Sequence, residues 1–520
     1  MQEFAGARPR KALGLWWGYL PLVVVGGLFA AMVWVVPSDL PDGTTAARDV
    51  REVGAGEPAT GWNDSVTACA SGQQWQVEAD TYSPPCFDFS GDNGGATSRG
   101  VTADEITLSY RMTSDPNLLK VLADTAGIEL DVTNEQLEND AEGLVDYFNQ
   151  NYQFYGRKLR LQQVQGSGSV IEEFTGGGQD KAVTDAIKVA QETKAFADVT
   201  ALTQPYADAL SDQHVVNIGA PYMSREWFGK RAPYAWSNFP DCSTAAETAT
   251  EVAAKEILPY PAKYAGGDLT DRPRTLGVVA PNNQEYQQCV EAGRKILEDQ
   301  GFHYSYETDY VLDLASIPDA ARDIVAQLKD KGITSVALAC DPVMAASLLS
   351  VAESQNYKPE WLVLGVAFTD LDLVGQIIQK NSGDQMSRAF GGTPYGGQEA
   401  YGTSYGYQAF KSVRPDEEPS ILIDVIFIQL LEMAIGIQMA GPDLTPEHFE
   451  TGMFSYPERT GTAGTWDFSP EHYTGVRDIR LVWWDPNRPS PFNGANGTYV
   501  DDGTRIPQGQ VPESEMKVFQ

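Results

Sequence analysis

Residues 402–406 have the types and spacing of a nucleophilic centre. Their sequence, Gly402-Thr403-Ser404-Tyr405-Gly406, fits the pattern in which a serine on a sharp strand-to-helix turn attacks an ester or an amide. Acidic and basic partners follow in the required order, with Asp424 or Asp443 as the acid and His448 or His472 as the base. Such a turn needs a buried strand before the serine, and residues 391–401 are too polar and too rich in glycine to form one. We therefore expect no catalytic residue here, and we interpret the segment as a flexible entry to a helix over residues 407–413.

Two other kinds of chemical site are disfavoured by residue spacing. A phosphate-binding loop needs Lys and Ser or Thr after its glycines, whereas Gly176-Gly177-Gly178 is followed by Gln179-Asp180. A metal site needs clustered ligands, but no Cys-x-x-Cys is present and the histidines are scattered: His214, His303, His448 and His472. The sequence therefore predicts no metal and no cofactor.

The charge of the chain excludes two classes of partner. It has 37 basic and 71 acidic residues, a formal net charge of −34. Nucleic-acid phosphates and anionic lipid surfaces both attract basic protein surfaces. The sequence therefore predicts neither nucleic-acid binding nor docking on anionic lipid, and we interpret the charge as a solvated acidic surface.

The N-terminal residues predict a membrane anchor. Arg8, Arg10 and Lys11 precede residues 13–36, which contain no charged residue and are long enough to cross a bilayer as a helix. Basic flanks stay on the cytoplasmic side, so residues 1–12 form a cytoplasmic tail and the main domain lies outside the cytoplasm. A cleaved signal peptide is the alternative, but its apolar region is usually shorter, and three bulky apolar residues follow Ala30-Ala31.

Five cysteines in an exported chain predict disulfide bonds. Cys69 and Cys86 flank a segment with little periodic structure, which a disulfide would order, and we expect them to pair. Of Cys242, Cys289 and Cys340 at most two can pair, and the sequence does not distinguish between them.

Hydrophobic periodicity predicts alternating strands and helices from residue 101 onward. In the first half, strands are expected at residues 106–110, 159–164, 196–202 and 215–218, with helices at 128–152 and 180–194. After Asp241, helices are expected at 243–257, 286–300, 317–331 and 342–355, and strands at 276–280, 304–311, 333–339 and 361–364. A long apolar helix over 421–440 and a strand over 479–484 follow. This pattern is typical of parallel sheets covered by helices, and it predicts two α/β lobes whose strand ends line a shared cleft.

Several short stretches, in order along the chain, carry a family resemblance. They are residues 100–106, Tyr147-Phe148-Asn149, Gly156-Arg157-Lys158-Leu159, residues 182–199, Asn217-Ile218-Gly219-Ala220, residues 234–241, 276–286 and 333–341, and residues 440–446. Together they resemble type I periplasmic binding proteins, the leucine/isoleucine/valine-binding-like group of ABC-transporter substrate-binding proteins. The resemblance implies a two-lobed clamshell with three crossings at a hinge.

The polar, glycine-rich composition of residues 37–100 and the two-lobe resemblance of the chain that follows together suggest domain bounds. Residues 37–100 are expected to be a linker and a disulfide-stapled collar. Lobe 1 would comprise 101–239 and 366–460, lobe 2 would comprise 240–365 and 461–490, and 491–520 would be a C-terminal tail.

Carried over by position, the resemblance implies a set of ligand contacts. From lobe 1 these are Arg111, Thr113, Thr203, Gln204, Ala220, Pro221 and Tyr222; from lobe 2 and the return crossing they are Asp241, Asn283, Tyr286, Asp341 and Phe368. Each residue also suits an ordinary loop position, and Thr203, Asp241 and Asn283 suit helix N-caps. Amino-acid-binding relatives usually have small hydroxyl residues where this chain has Ala220-Pro221. Arg111 suggests an anionic group on the ligand, with an internal salt bridge as the alternative.

The function that follows is solute binding without catalysis. We expect a membrane-anchored, extracytoplasmic protein that encloses an amino acid, an amide or a small organic acid and delivers it to an ABC-type permease. The alternatives are a ligand sensor or envelope interaction module with the same fold, and a serine hydrolase that uses Ser404.

Overall fold

The structure is a computed structural model that describes residues 69–113, 133–174, 177–220, 223–313, 315–366, 369–397 and 399–519. The predicted anchor and cytoplasmic tail lie outside these residues.

Fifteen strands are found in the described ranges. In chain order they are β1 (Glu105–Met112), β2 (Lys158–Gln165), β3 (Ala197–Asp198), β4 (Val216–Ile218), β5 (Ala235–Trp236), β6 (Leu276–Pro281), β7 (Tyr304–Tyr310), β8 (Ser335–Leu338), β9 (Glu360–Val363), β10 (Ala389–Thr393), β11 (Arg459–Gly461), β12 (Gly464–Trp466), β13 (Asp478–Pro489), β14 (Asn496–Val500) and β15 (Arg505–Pro507).

Thirteen α-helices connect these strands in the same ranges. They are α1 (Asn134–Asn151), α2 (Val170–Phe174), α3 (Gln179–Ile187), α4 (Gln204–Asp212), α5 (Arg225–Gly229), α6 (Cys242–Val252), α7 (Gln284–Asp299), α8 (Ile317–Asp330), α9 (Pro342–Ser354), α10 (Asp372–Asn381), α11 (Tyr405–Val413), α12 (Ile423–Ala440) and α13 (Pro446–Ser455). Helices α3 and α6 each continue into a π-helical turn, over Lys188–Thr193 and Ala253–Ile257.

The first lobe is built on a five-stranded parallel sheet in the order β2-β1-β3-β4-β5. Strand β1 is buried on both faces, as expected for a parallel sheet covered by helices. Ile106, Leu108 and Tyr110 belong to the apolar core of the lobe, whereas Ser109 and Arg111 alternate with them and bond to other buried polar groups. The predicted α/β class is therefore confirmed for this lobe.

The second lobe contains a larger sheet in the order β14-β13-β10-β9-β8-β6-β7, with β15 paired to β13. Strands β6 to β10 are parallel, and β13 joins β10 antiparallel. The sheet corrects the domain bounds expected above. Residues 389–393 belong to lobe 2 rather than lobe 1, and the expected C-terminal tail contributes β14 and β15 to the same sheet.

The hairpin β11–β12 lies outside the second sheet, although we expected residues 461–490 in lobe 2. Trp466, Phe468 and Tyr473 pack in the core of lobe 1. The return to lobe 2 therefore occurs just before Asp478, where β13 begins.

Strand β3 is much shorter than the predicted strand at 196–202. The Asp198 carboxylate accepts hydrogen bonds from the backbone N–H and the hydroxyl of Thr200, at 2.7 and 2.8 Å. This local turn competes with the backbone hydrogen bonds between neighbouring strands and ends β3 after two residues.

We did not predict strand β10 from the sequence, because the segment is rich in glycine. A Cβ at Gly391 would overlap with the carbonyl oxygen of Val363 on β9. Glycine is therefore needed for the close approach of the two strands, although it lowers β-propensity.

Helix α12 is long and apolar enough, by length and composition, to cross a membrane, but most of it is buried within the protein. Leu430, Leu431 and Ile435 are fully buried in the core of lobe 1. We therefore describe it as a core helix.

The collar packs on lobe 1. Cys69 and Cys86 form the predicted disulfide, with Cα atoms 5.9 Å apart. Tyr82 packs against Trp466 at 4.5 Å between ring centroids and donates a 2.6 Å hydrogen bond to the Gly464 carbonyl. These contacts fix the collar to lobe 1.

Candidate functional site

The candidate site lies where the carboxyl ends of the two sheets approach each other. The Ser224 hydroxyl, after β4, donates a 2.6 Å hydrogen bond to the Glu285 carboxylate, after β6. Tyr286, also from lobe 2, packs against the core of lobe 1. In parallel sheets, ligand crevices form outside the carboxyl ends of the strands. The contacts therefore place loops of both lobes at one cleft.

Two of the three crossings between the lobes run side by side. The first crossing, after β5, and the third, before β13, are paired through Ser237 and Thr474. The Thr474 hydroxyl donates to the Asp241 carboxylate at 3.2 Å and accepts from the Asp241 N–H at 3.1 Å. These bonds join the two segments into one hinge element.

The second crossing follows β10 and is held by two arginines. Arg480 donates to the carbonyl of Tyr395 at 2.6 Å and to that of Gly396 at 2.9 Å. Arg505 donates to the carbonyl of Pro394 at 2.6 Å and pairs with Asp478. Tyr395 also meets Phe239 of the first crossing, with ring centroids 5.5 Å apart. All three crossings therefore meet at one side of the cleft.

Arg111 is at the end of β1, as expected, but its guanidinium is enclosed by the protein. It donates to Asp185 at 2.9 Å and to the two oxygens of Glu173 at 3.0 and 2.5 Å. Its side chain is 2% exposed, and it lies 4.1 Å from the centroid of the Tyr206 ring. Burial opposes the charge, but the hydrogen bonds and charge of Glu173 outweigh it and raise the pKa of Arg111. Arg111 therefore forms the internal salt bridge that we gave in the sequence analysis as the alternative to an anionic ligand group.

The loop after β2 closes over this arginine. The Asp185 carboxylate accepts hydrogen bonds from the backbone N–H groups of Ser167 and Gly168 at 2.8 and 3.0 Å. Burial acts to raise the pKa of Asp185, but these bonds and the charge of Arg111 lower it overall. A Cβ at Gly168 would overlap with the guanidinium, so glycine is required where the backbone crosses it.

The other predicted contacts of lobe 1 lie at the same strand ends. Thr203 is buried before α4 and donates to Glu173 at 2.5 Å instead of capping the helix. Gln204 is the first residue of α4, Thr113 is half-buried directly after β1, and Ala220 is buried after β4. The predicted contacts Pro221, Tyr222 and Phe368 lie outside the described residues.

Three of the predicted lobe 2 contacts are helix N-caps. Asp241 accepts from the Thr244 N–H, Asn283 from the Glu285 N–H and Asp341 from the Val343 N–H, each at 2.8 Å. The Asp341 carboxylate also accepts from the Tyr310 hydroxyl, and burial raises its pKa. Asn283 is exposed, whereas Asp241 and Asp341 are buried. Their structural roles are therefore shown, while a role in ligand contact stays a prediction.

Sequence reasoning missed two polar groups near the strand ends. Asp370, after β9, is 2% exposed and accepts from the Thr393 hydroxyl, while its other oxygen has no hydrogen-bond partner among the residues that the structure describes. Burial raises the pKa of Asp370 to about 6. Gln429 on α12 is buried, and its amide nitrogen, also unpartnered, lies 3.1 Å from the position of a Cβ on Gly219. The sequence feature that could have indicated Gln429 is a glutamine within an otherwise apolar helix. No feature of the neighbouring sequence indicated Asp370.

The serine motif does not form a catalytic triad. Ser404 caps α11 by accepting from the Tyr407 N–H, and it follows a turn rather than a strand. It bonds to Asp424, whose pKa burial raises. His448 instead contacts Asp443 at 3.5 Å, and His472 lies in the turn before the third crossing.

The cysteine pairing left open by the sequence is resolved in lobe 2. Cys242 on α6 and Cys289 on α7 form a disulfide with Cα atoms 5.6 Å apart, and Cys340 is free and buried. Among the residues that the structure describes, no cluster of His, Cys, Asp or Glu could hold a metal ion.

Comparisons with known proteins agree with this architecture. A family model described as periplasmic binding protein matches residues 132–489. The comparison with curated proteins found no match.

Solved structures of the same fold include three bacterial proteins. A fatty acid ABC transporter substrate-binding protein from Thermomonospora curvata is 14% identical, with a TM-score of 0.55 over 82% of this chain and 99% of that one. A solute-binding protein from R. palustris in complex with 4-hydroxybenzoate is 12% identical, with a TM-score of 0.53 over 79% and 98%. An ABC transporter substrate-binding protein from Sphaerobacter thermophilus is 16% identical, with a TM-score of 0.52 over 78% and 98%. At these identities the likeness concerns the fold.

Proposed function

The chain belongs to the periplasmic binding protein family, and from this we propose that it captures a small polar solute outside the cytoplasm and delivers it to an ABC-type permease. The solute is an amino acid, an amide or a small organic acid. The N-terminal apolar segment, residues 13–36, holds the protein at the membrane in this proposal.

The proposal rests mainly on one observation: the loops at the carboxyl ends of the parallel strands of both sheets meet each other, and three adjacent crossings join the two lobes. The bridge between Ser237 and Thr474 and the two arginines at the hinge, Arg480 and Arg505, keep these crossings together. Such a hinge lets rigid lobes rotate while the crossings absorb the change in backbone angles. A solute that contacts both lobes stabilises the closed form, because it has more contacts there than in the open form.

The proposal extends to the protein's place in transport. Solved relatives of the same fold are substrate-binding proteins of ABC transporters, and this supports a permease as the partner. The collar, which follows the N-terminal segment in the sequence, packs on lobe 1, and in this proposal lobe 1 is therefore the lobe nearer to the anchor along the chain.

The test is a solute screen on the purified full-length protein. Small molecules released on denaturation are identified by mass spectrometry, and amino acids, amides, short-chain acids and aromatic acids are then tested by thermal unfolding. A bound solute at 100 times its Kd stabilises the folded protein by about 2.7 kcal/mol, so one class should raise the Tm in a saturable manner. An absence of any stabilising solute, together with ester hydrolysis that Ser404→Ala abolishes, would contradict the proposal.

A further inference from the structure

One carboxylate of the chain itself bonds to two of the polar groups that the family resemblance assigned to the ligand in lobe 1, Arg111 and Thr203. Glu173, on α2, is 2% exposed. Its Oε1 accepts from Arg111 at 2.5 Å, and its Oε2 accepts from Arg111 at 3.0 Å and from the Thr203 hydroxyl at 2.5 Å. Two parallel bonds from a guanidinium and one from a hydroxyl are what a bound carboxylate would receive.

The surrounding structure holds this carboxylate in place. The loop between β2 and α2 crosses the guanidinium at Gly168, where a side chain would overlap with both Arg111 and Glu173. Asp185 binds that loop and the same guanidinium. The bonds of this arrangement therefore come from strand β1, the loop after β2, helices α2 and α3, and the residue before α4.

The charges at this position disfavour a second anion. One guanidinium already has two carboxylate partners, Glu173 and Asp185. A solute carboxylate that approached them would be a third negative group around one positive one in a buried environment, where repulsion between like charges is poorly screened. Arg111 is also the one cationic residue among the predicted ligand contacts; the charged ones besides it are Asp241 and Asp341.

We propose that Glu173 is a specificity-determining residue: it fills the carboxylate position formed by Arg111 and Thr203, so that the cleft accepts solutes that are uncharged or cationic and rejects carboxylates. The inference rests on the proposed function and narrows its solute class to molecules such as amides.

A rescue experiment tests whether this position binds a carboxylate. Glu173→Ala is introduced into the full-length protein, and its thermal unfolding is followed at pH 7 in rising sodium acetate and in equal concentrations of sodium chloride. We expect a lower Tm than for the wild-type protein, and a saturable rise in Tm with acetate beyond that with chloride, because acetate replaces the missing group.

The control variant is Glu172→Ala on the same helix, whose exposed carboxylate pairs with Lys181 at 3.0 Å. Neither this variant nor the wild-type protein should distinguish acetate from chloride. If the Tm of Glu173→Ala changes with acetate concentration as it does with chloride concentration, Glu173 does not fill a carboxylate-binding position. If this variant folds only with an added anion, the yield of refolded protein in acetate against chloride gives the same comparison.

Matched solutes test the consequence for specificity. Leucine is compared with leucinamide, and 4-hydroxybenzoate with 4-hydroxybenzamide, by their effect on the Tm of the wild-type protein. The inference predicts stabilisation by an amide and none by its carboxylate partner. Stabilisation by a carboxylate that is absent for its amide would overturn it. If no solute of either kind in the wider screen stabilises the protein, the proposed function fails, whereas the acetate comparison still decides the assignment of Glu173.

Discussion

At the scale of single residues, the cleft-side polar groups of lobe 1 form a closed ion network. Arg111 bonds to Glu173 and Asp185, and none of the three side chains is exposed by more than a few per cent. Removing one partner from a buried ion pair leaves the others without compensation, which costs far more than the pair itself contributes.

Arg111→Ala should therefore lower the free energy of unfolding by about 3 to 5 kcal/mol. The matched control is Arg160→Ala on the adjacent strand, because Arg160 forms an exposed pair with Glu105. That change should cost less than about 1 kcal/mol. Denaturant unfolding of both variants measures the difference, and similar losses for the two would show that the network around Arg111 is not a stabilising one.

Asp370 gives a pH-dependent prediction. In the folded protein burial raises its pKa from 3.8 to about 6. The folded state therefore holds this proton more tightly than the unfolded state, so the contribution to stability is complete below pH 3.8 and is lost as the pH rises through about 6. At about 1.4 kcal/mol for each pKa unit, the effect is on the order of 3 kcal/mol.

Asp370→Asn removes this titration. We expect the variant to gain stability relative to the wild-type protein as the pH rises from 4 to 7, measured by denaturant unfolding at fixed ionic strength. A stability difference that stays constant over this range would contradict the raised pKa.

Residue types alone indicated part of this site. Asp241 and Asn283 were recognised as suitable helix N-caps, and the structure shows both in that role. Glu173 could not be found in the same way, because α2 has five residues and the side-chain bonding partners of Glu173, Arg111 and Thr203, come from two other segments of the chain. Contacts of that kind depend on the tertiary fold, which local sequence does not encode.

At the scale of elements, the second crossing is closely packed at one position. A Cβ at Gly396 would overlap with the carbonyl oxygen of Thr462, whereas a Cβ at Gly397 would meet no atom within 4 Å. The hinge therefore contains two adjacent glycines with different steric demands.

Gly396→Ala should lower the Tm, because backbone atoms must move to admit the methyl group, and Gly397→Ala should leave it nearly unchanged. Thermal unfolding of the two variants provides the comparison. Equal Tm values would indicate that the crossing does not approach residue 462 as closely as described.

The disulfide between α6 and α7 gives a second prediction at this scale. The disulfide joins Cys242 to Cys289, which are 47 residues apart in the sequence. Replacing both by alanine should lower the free energy of unfolding by about 2 to 4 kcal/mol. Peptide mapping under non-reducing conditions checks the pairing directly, and a bond from Cys340 to either residue would contradict it.

Helices were more predictable than strands because their signals are longer. The periodic stretches at 286–300, 317–331 and 342–355 correspond to α7, α8 and α9 within one or two residues at each end. Strands β3 and β10 depart from prediction for local reasons, the turn at Asp198 in one and the close approach at Gly391 in the other. Neither reason is visible as a hydrophobic pattern.

At the scale of the whole molecule, the order of strand and helix units predicted two α/β lobes, and the family match confirms the architecture. The positions of the second and third crossings were wrong, because β10 and β13 pair in the lobe 2 sheet through contacts distant in sequence. The collar enlarges lobe 1 and the C-terminal strands enlarge lobe 2, and Arg505 of β15 also bonds to the second crossing.

In the proposed function the two lobes close on a solute, and this closure can be measured as a change in a distance between them. Val183 on α3 and Val311 after β7 are exposed residues on lobe 1 and lobe 2, and the free cysteine of the described chain, Cys340, is buried. Val183→Cys and Val311→Cys allow spin labels to be attached for pulsed electron paramagnetic resonance. We predict that a solute that raises the Tm also shifts the distance distribution to shorter values. A distribution that stays the same with that solute at saturation would contradict the account.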